Sequence, residues 1–405
     1  MANPPLTPVV QAQARLLAQA GTLGAVQMLP LDACLGRVLA SDQVAAMDVP
    51  AYDNSAMDGY ALRVADVPSA GITLPVTQTV AAGHPGTPLE PGTAARIFTG
   101  APLPAGADAV VMQENTRAEG GQVTMLNVPL PGQNVRSRGH DLAAGALVLP
   151  RGRRLQAQDL GLLASLGLAQ VPVFKPLKVA VLTTGDEVVP PGQPLQAGQL
   201  HDSNSYVLAG LLQGLGMEVL RFGIVPDDPQ RTREALARAA EQADCVISTG
   251  GVSVGEADYV KAAVEALGEL QLWKLAIKPG KPFSFGRIGA TPFFGLPGNP
   301  VAVFVTWLVL VRAYLLKLQG ATEVALPLRP VRAGFSIDTP GTRQEYLRVR
   351  LQLQAGGMPL AQPFSDQGSN MLSSLSWSDG LVIIPQGSAV ASGDVLEFIP
   401  FRGAL

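Results

Sequence analysis

The feature that most constrains this chain is an alternation of strand-like and helix-like segments beginning near residue 177. Leu177-Lys178-Val179-Ala180-Val181-Leu182 is apolar enough for a strand buried on both faces. In residues 204–215, Val207, Leu208, Leu211, Leu212 and Leu215 fall on one helical face. Residues 217–225 read as a second strand, 231–243 as a second helix, and Asp244-Cys245-Val246-Ile247-Ser248 as a third strand. Such alternation predicts a doubly wound α/β domain of parallel strands, with ligands bound outside the strands' carboxyl ends. Asn299 followed by Pro300 is an N-cap and first-turn pair, so a long helix is expected from there to about Leu318. Its most apolar part, residues 301–311, is shorter than the roughly 20 residues needed to cross a bilayer. That helix should be buried in the protein, and no membrane association is expected.

A chain of 405 residues exceeds what one hydrophobic core usually supports. Before the α/β region, residues 9–20 and 31–39 carry apolar groups at helical spacing, and residues 158–166 do so again. Between them lie short β-prone runs, such as residues 74–80, 109–112 and 122–125, separated by Gly and Pro turns. The expected organisation is a discontinuous helical linker domain (residues 1–43 and 142–175) carrying an all-β insert (44–141). An α/β domain (176–322) follows, then a small β-barrel-like domain (323–405) with strands near 346–353, 381–384 and 395–399.

Composition narrows the chemistry. A formal net charge of −3 argues against a surface built to hold nucleic acid, so any anion site must be local. Cys34 and Cys245 are the only cysteines, far apart in apolar surroundings, which suits core packing better than a disulfide or thiolate metal site. With His84, His140 and His201 as the only histidines and no H-E-x-x-H, a His-based zinc site has little support. No G-x-S-x-G elbow occurs. Residues 1–8 lack a basic stretch followed by an apolar run, so a cytoplasmic location is the expectation.

Three strand ends terminate in polar or Gly-rich sequence: Thr183-Thr184-Gly185-Asp186-Glu187, Val225-Pro226-Asp227-Asp228, and Ser248-Thr249-Gly250-Gly251-Val252-Ser253-Val254-Gly255. If their strands are parallel neighbours, the loops open onto one crevice. Gly250, Gly251 and Gly255 could let backbone N–H groups close around a phosphate, or could simply serve a turn that needs glycine. The loop matches neither the Walker pattern nor G-x-G-x-x-G. Lys274, Lys278 and Lys281 cluster around one strand and its Gly/Pro turn, which points to anion binding more than to a guarded strand edge. Asp58, Asp141, Asp186, Glu187, Asp227, Asp228 and Asp258 lie in turns or at strand ends. Caps account for Asp228 and Asp186; the others could offer oxygen to a hard cation such as Mg²⁺.

Five motifs then occur in order: Asn54-Ser55-Ala56-Met57-Asp58-Gly59-Tyr60-Ala61, Ile97-Phe98-Thr99-Gly100-Ala101-Pro102-Leu103-Pro104, Gly250-Gly251-Val252-Ser253-Val254-Gly255 through Asp258, Lys278-Pro279-Gly280-Lys281-Pro282, and Gly295-Leu296-Pro297-Gly298-Asn299-Pro300. Together they resemble the molybdopterin molybdenumtransferase family, the MoeA/gephyrin E-domain class, over nearly the whole chain. The resemblance implies a homodimer whose α/β domain faces the β insert of the partner. It also implies insertion of molybdate into adenylyl-molybdopterin with release of AMP, helped by Mg²⁺. By matching motifs, Thr184, Gly185, Ser248, Gly250, Gly251 and Ser253 would hold nucleotide and phosphates, with Glu187 and Lys274 beside them. Lys278, Lys281 and Arg348 would approach molybdate, and Ser369 would join them from the C-terminal domain. Asp227 and Asp258 would organise the cation, while Asp58, Thr99, Arg136 and Asp141 would reach the cleft from the insert. The catalytic set is thus Asp58, Asp141, Asp227 and Asp258. Position 370 is Asn, where the resemblance implies His.

Two rival readings remain. A molybdopterin adenylyltransferase has a similar α/β domain, but its glycine loop usually reads Gly-Gly-Thr-Gly, against Gly251-Val252-Ser253 here, and it could instead be a partner that delivers the substrate. A non-catalytic dimeric scaffold would have no need of the carboxylates and lysines.

Overall fold

The computed structural model describes residues 6–251 and 259–404. Its α/β core is a six-stranded sheet in the order Glu218–Val225, Lys178–Thr184, Cys245–Thr249, Thr291–Leu296, Pro282–Ile288, Gly268–Lys274. The first four strands run parallel and the last two antiparallel to their neighbours. Lys178–Thr184 is buried from its second residue on, as its unbroken apolar run requires of a strand covered on both faces. Helices Asn204–Gly214 and Pro300–Leu318 cover one side, and Pro229–Gln242 and Tyr259–Leu267 the other. Within the core, Trp273, Phe283, Phe285, Phe294 and Tyr314 form a chain of tilted and edge-on ring contacts with centroids 5.1 to 6.2 Å apart.

Pro300–Leu318 is long and apolar enough to cross a membrane, yet 89% of it is buried inside the protein. It is a core helix, widened to a π-turn over Trp307–Val311. Cys34 and Cys245 are both buried, as core packing predicts.

The insert is a second six-stranded sheet, ordered Ala109–Met112, Gly59–Leu62, Ala94–Ile97, Thr73–Val80, Gln122–Met125, Thr116–Glu119. Both of its ends return to the same place. Gln43–Val44 pairs antiparallel with Leu147–Leu149, and the Ala45 N–H donates to the Ala146 carbonyl at 2.9 Å. The linker is assembled from both flanks, with Val26–Pro30 paired against Gln170–Phe174 and helix Ala157–Ser165 alongside. One expected helix does not form. Residues 31–39 give only the 3₁₀ turn Leu31–Ala33, because Gly36 takes a φ of +74° that stops helix propagation. The N-terminal helix Val9–Gln19 buries Val9, Ala12 and Leu16 in the α/β core.

The C-terminal domain is a closed five-stranded barrel: Gln344–Gln352, Leu360–Pro363, Arg329–Ala333, Val395–Pro400 and Gly380–Ile384, the last pairing back onto the first. A short strand of the α/β domain, Ile277–Lys278, adds in parallel to the barrel strand Gln344–Gln352, with Lys278 opposite Glu345. This junction brings the barrel to the carboxyl ends of the core strands.

Candidate functional site

Two adjoining clefts open there, with volumes of 580 and 530 Å³, and they share Gly250, Gly298 and Asn299 as a common wall. The crevice expected from parallel strands is thus present. Two of the three strand-end loops line it, those of Thr184 and Gly250; Val225 to Asp228 does not.

The first cleft holds the cationic groups. Lys278, Lys281 and Arg343 line it with Gly250, Gly251, Pro279, Gly280, Asn299, Gln367 and Ser369. Lys281 is exposed and has no carboxylate partner among the described residues. Lys278 donates to both oxygens of Glu345, at 3.1 and 3.2 Å. Arg343 donates from Nη1 to the Ile277 carbonyl at 3.3 Å, which ties one arm of its guanidinium to the barrel junction. Gly250 and Gly251 both take positive φ, +85° and +64°. A Cβ on Gly250 would lie 2.7 Å from the Thr184 carbonyl oxygen, so glycine is required there by contact as well as by conformation. The Gly250 N–H donates to the Leu296 carbonyl at 3.2 Å, and any backbone cradle for an anion therefore starts at Gly251.

The second cleft is lined by Thr183, Thr184, Glu187, His201, Asp202, Asn204, Thr249 and Asn370, among others. Asp202 is buried, takes the Thr183 hydroxyl at 3.3 Å and the Ser205 N–H at 3.1 Å, and so ties the helix start to a strand end. Asn204 donates to the Gly298 carbonyl at 2.7 Å, while its own Oδ1 has no partner among the described residues. Gly185 sits at φ +134°, where a Cβ would meet the Glu187 carboxylate at 2.5 Å.

Other expected residues lie elsewhere. Ser248 is fully buried with an unpartnered hydroxyl, one residue short of the cleft wall. Lys274 ends its strand outside both linings. Asp227 is exposed, and its N–H donates to Asp186 at 3.0 Å, while Asp228 caps helix Pro229–Gln242 through Arg231 N at 2.7 Å. Arg348 does not line either cleft. Its side chain is 1% exposed and donates to Ser374 Oγ at 2.9 Å and to the carbonyls of Gly368 at 2.9 Å and Asp366 at 3.3 Å. Burial lowers its pKa to about 10, which leaves it charged at neutral pH. Ser253 and Asp258 fall outside the described residues.

On the insert, Asp58 Oδ1 accepts the Thr99 N–H at 2.7 Å and the Thr99 hydroxyl at 2.8 Å. Those bonds, with Arg96 nearby, hold the exposed Asp58 carboxyl below the usual range. Arg96 stacks on the Phe98 ring at 4.8 Å. Arg136, on the two-residue strand paired with Asn54–Ser55, and Asp141, whose N–H donates to Val49 at 2.9 Å, are both exposed. None of these four lines the clefts of its own chain.

Sequence reasoning missed Arg343, Glu345, Asp202 and Asn204. Arg343 and Glu345 flank the start of a barrel strand, so only the junction with Ile277–Lys278 reveals them. Asp202-Ser203-Asn204 before a helical run was a readable N-terminal signal.

A parallel-sheet crevice walled by glycine turns and cationic side chains defines an α/β protein whose cleft is chemically suited to oxyanions or phosphates. Residues 180–317 match the profile of a probable molybdopterin binding domain, residues 7–167 that of the MoeA N-terminal region, and 330–401 that of the MoeA C-terminal region. The chain belongs to the molybdopterin molybdenumtransferase (MoeA) family. A molybdopterin molybdenumtransferase of Haemophilus influenzae is 40% identical over 399 residues, 98% of each chain, and one of Nostoc is 39% identical over 382 residues, 91% of this chain and 88% of that one. The molybdopterin biosynthesis moeA protein of Pyrococcus horikoshii superposes with a TM-score of 0.86 at 30% identity, covering 98% of this chain and 100% of that one.

Proposed function

We propose that this protein is a molybdopterin molybdenumtransferase, inserting molybdate into adenylyl-molybdopterin with release of AMP in molybdenum cofactor biosynthesis. The observation that carries the reading is the first cleft, where Lys281, Lys278 and Arg343 surround space beside the Gly250-Gly251 turn. Ammonium and guanidinium donors suit a tetrahedral dianion, and the backbone N–H of Gly251 suits phosphate. The sulfurs that take molybdenum belong to the substrate, so a chain whose two cysteines are buried can still perform the transfer.

Among the described residues no three His, Cys, Asp or Glu side chains converge on a closed cage for Mg²⁺. A hard cation held by one or two carboxylates and the substrate's phosphates fits better, with Asp227 and Asp258 as its protein ligands. When bound, it would neutralise charge on the pyrophosphate.

The insert's Asp58, Thr99, Arg136 and Asp141 would serve the cleft of a second copy, which makes the enzyme a homodimer with shared sites. Cytoplasmic location and substrate delivery by a molybdopterin adenylyltransferase complete the reading. Against that adenylyltransferase as the identity of this chain stand the insert and barrel, which its α/β domain lacks. Against a pure scaffold stands the cationic cleft.

The test is to incubate the pure protein with adenylyl-molybdopterin and follow AMP with and without molybdate. Molybdate-dependent release is expected; its absence would favour the scaffold. Lys281→Ala should raise the molybdate needed by about tenfold, since an ionic hydrogen bond is worth about 1.5–3 kcal/mol and about 1.4 kcal/mol is one decade. An unchanged requirement would return Lys281 to a solvated surface role. Mixing Asp58→Asn with Lys278→Ala chains should restore activity in heterodimers, because one of the two sites then has both residues intact. Heterodimers that stay inactive would exclude a shared site.

A further inference from the structure

We infer that Glu345 is a built-in counter-charge that keeps oxyanion binding in the first cleft weak enough for the anion to leave. This rests on the oxyanion reading above and adds a residue outside the cleft lining. Lys278 and Glu345 are register partners across the parallel junction between the α/β domain and the barrel. Opposed residues share a face, so backbone pairing sets their approach and the rotamer need only complete it. Both carboxylate oxygens accept from the Lys278 ammonium, at 3.2 and 3.1 Å, with the Glu345 side chain 17% exposed and Lys278 48% exposed. Of the three cations lining the cleft, Lys278 alone has a carboxylate partner among the described residues.

An ammonium has three donors, so Lys278 can keep Glu345 and still reach an anion in the cleft. The carboxylate remains as a negative charge behind it. Coulomb repulsion scales with the charge of the incoming ion, so Glu345 opposes a dianion twice as strongly as a monoanion of the same shape. A substrate anion that must quit nitrogen donors for sulfur ligands gains nothing from a deep ground-state well. Glu345 makes that well shallower while its ion pair holds the lysine in place.

The experiment measures binding of molybdate and of perrhenate, a tetrahedral monoanion, to the full chain by equilibrium dialysis at fixed ionic strength. Glu345→Gln is expected to tighten molybdate by about tenfold and perrhenate by about threefold, the square root that halving the charge predicts. Glu345→Asp, which keeps the charge, should bind both anions as the parent does. A merely structural ion pair predicts the opposite sign, since freeing Lys278 would loosen the site. Saturable parent binding that Glu345→Gln leaves unchanged or weakens, or equal tightening of both anions, overturns the inference alone. No saturable binding to the parent overturns the oxyanion reading and this inference with it.

Discussion

Arg348→Ala is expected to destabilise the C-terminal barrel by about 3 kcal/mol or more, seen as a lowered denaturant midpoint, before any effect on oxyanion affinity is reached. The side chain is among the largest fully buried ones, and three acceptors converge on it: Ser374 Oγ and the carbonyls of Asp366 and Gly368. Each hydrogen bond from a charged donor is worth about 1.5–3 kcal/mol, and truncation also strands buried acceptors and opens a cavity. The loop that Arg348 holds includes Gly368 and leads directly to Ser369 on the cleft wall, so its influence on the site passes through backbone position. Lysine cannot replace a forked donor serving three directions, and Arg348→Lys should recover only part of the loss. Full stability in Arg348→Ala together with weakened molybdate binding would show instead that the guanidinium meets the anion.

Gly250→Ala should lower molybdate-dependent AMP release by about a hundredfold or more with little change in the barrel's stability. Two penalties coincide at this position. A left-handed backbone costs an L-residue about 1–3 kcal/mol, and the added methyl would sit 2.7 Å from the Thr184 carbonyl oxygen and 2.9 Å from its hydroxyl. Relief requires the turn to move, and the turn is the shared wall of both clefts. Steady-state AMP release and urea unfolding of the same preparation would separate the two effects. Activity within threefold of the parent would mean that the turn only connects a strand to a helix.

How far the sequence could be read depended on how local each signal was. The strands Ala109–Met112 and Gln122–Met125 match their apolar runs residue for residue, because a short strand between turns is specified by its own residues. The linker was harder. Helical spacing in residues 31–39 was overruled by Gly36 and by pairing of Val26–Pro30 with a strand some 140 residues later, which no window of sequence contains. The same applies at the site. Lys278, Lys281 and the glycine turn are legible because they lie in short motifs, whereas Arg343 reaches the cleft, and Glu345 its partner Lys278, only through the barrel junction. Arg348 is a case of its own: the resemblance implies a ligand contact, while the side chain is buried and bonded to Ser374, Asp366 and Gly368.

The antiparallel pairing of Gln43–Val44 with Leu147–Leu149 has a consequence for how this chain can change over time. To the linker, everything between those two strands is a closed loop, and loop-closure entropy grows only with the logarithm of length. Lengthening, shortening or exchanging the insert therefore costs the rest of the molecule little, provided the two strands still meet. Selection can remodel the surface of the insert while the α/β crevice keeps its geometry, so the two parts of the chain can evolve at different rates.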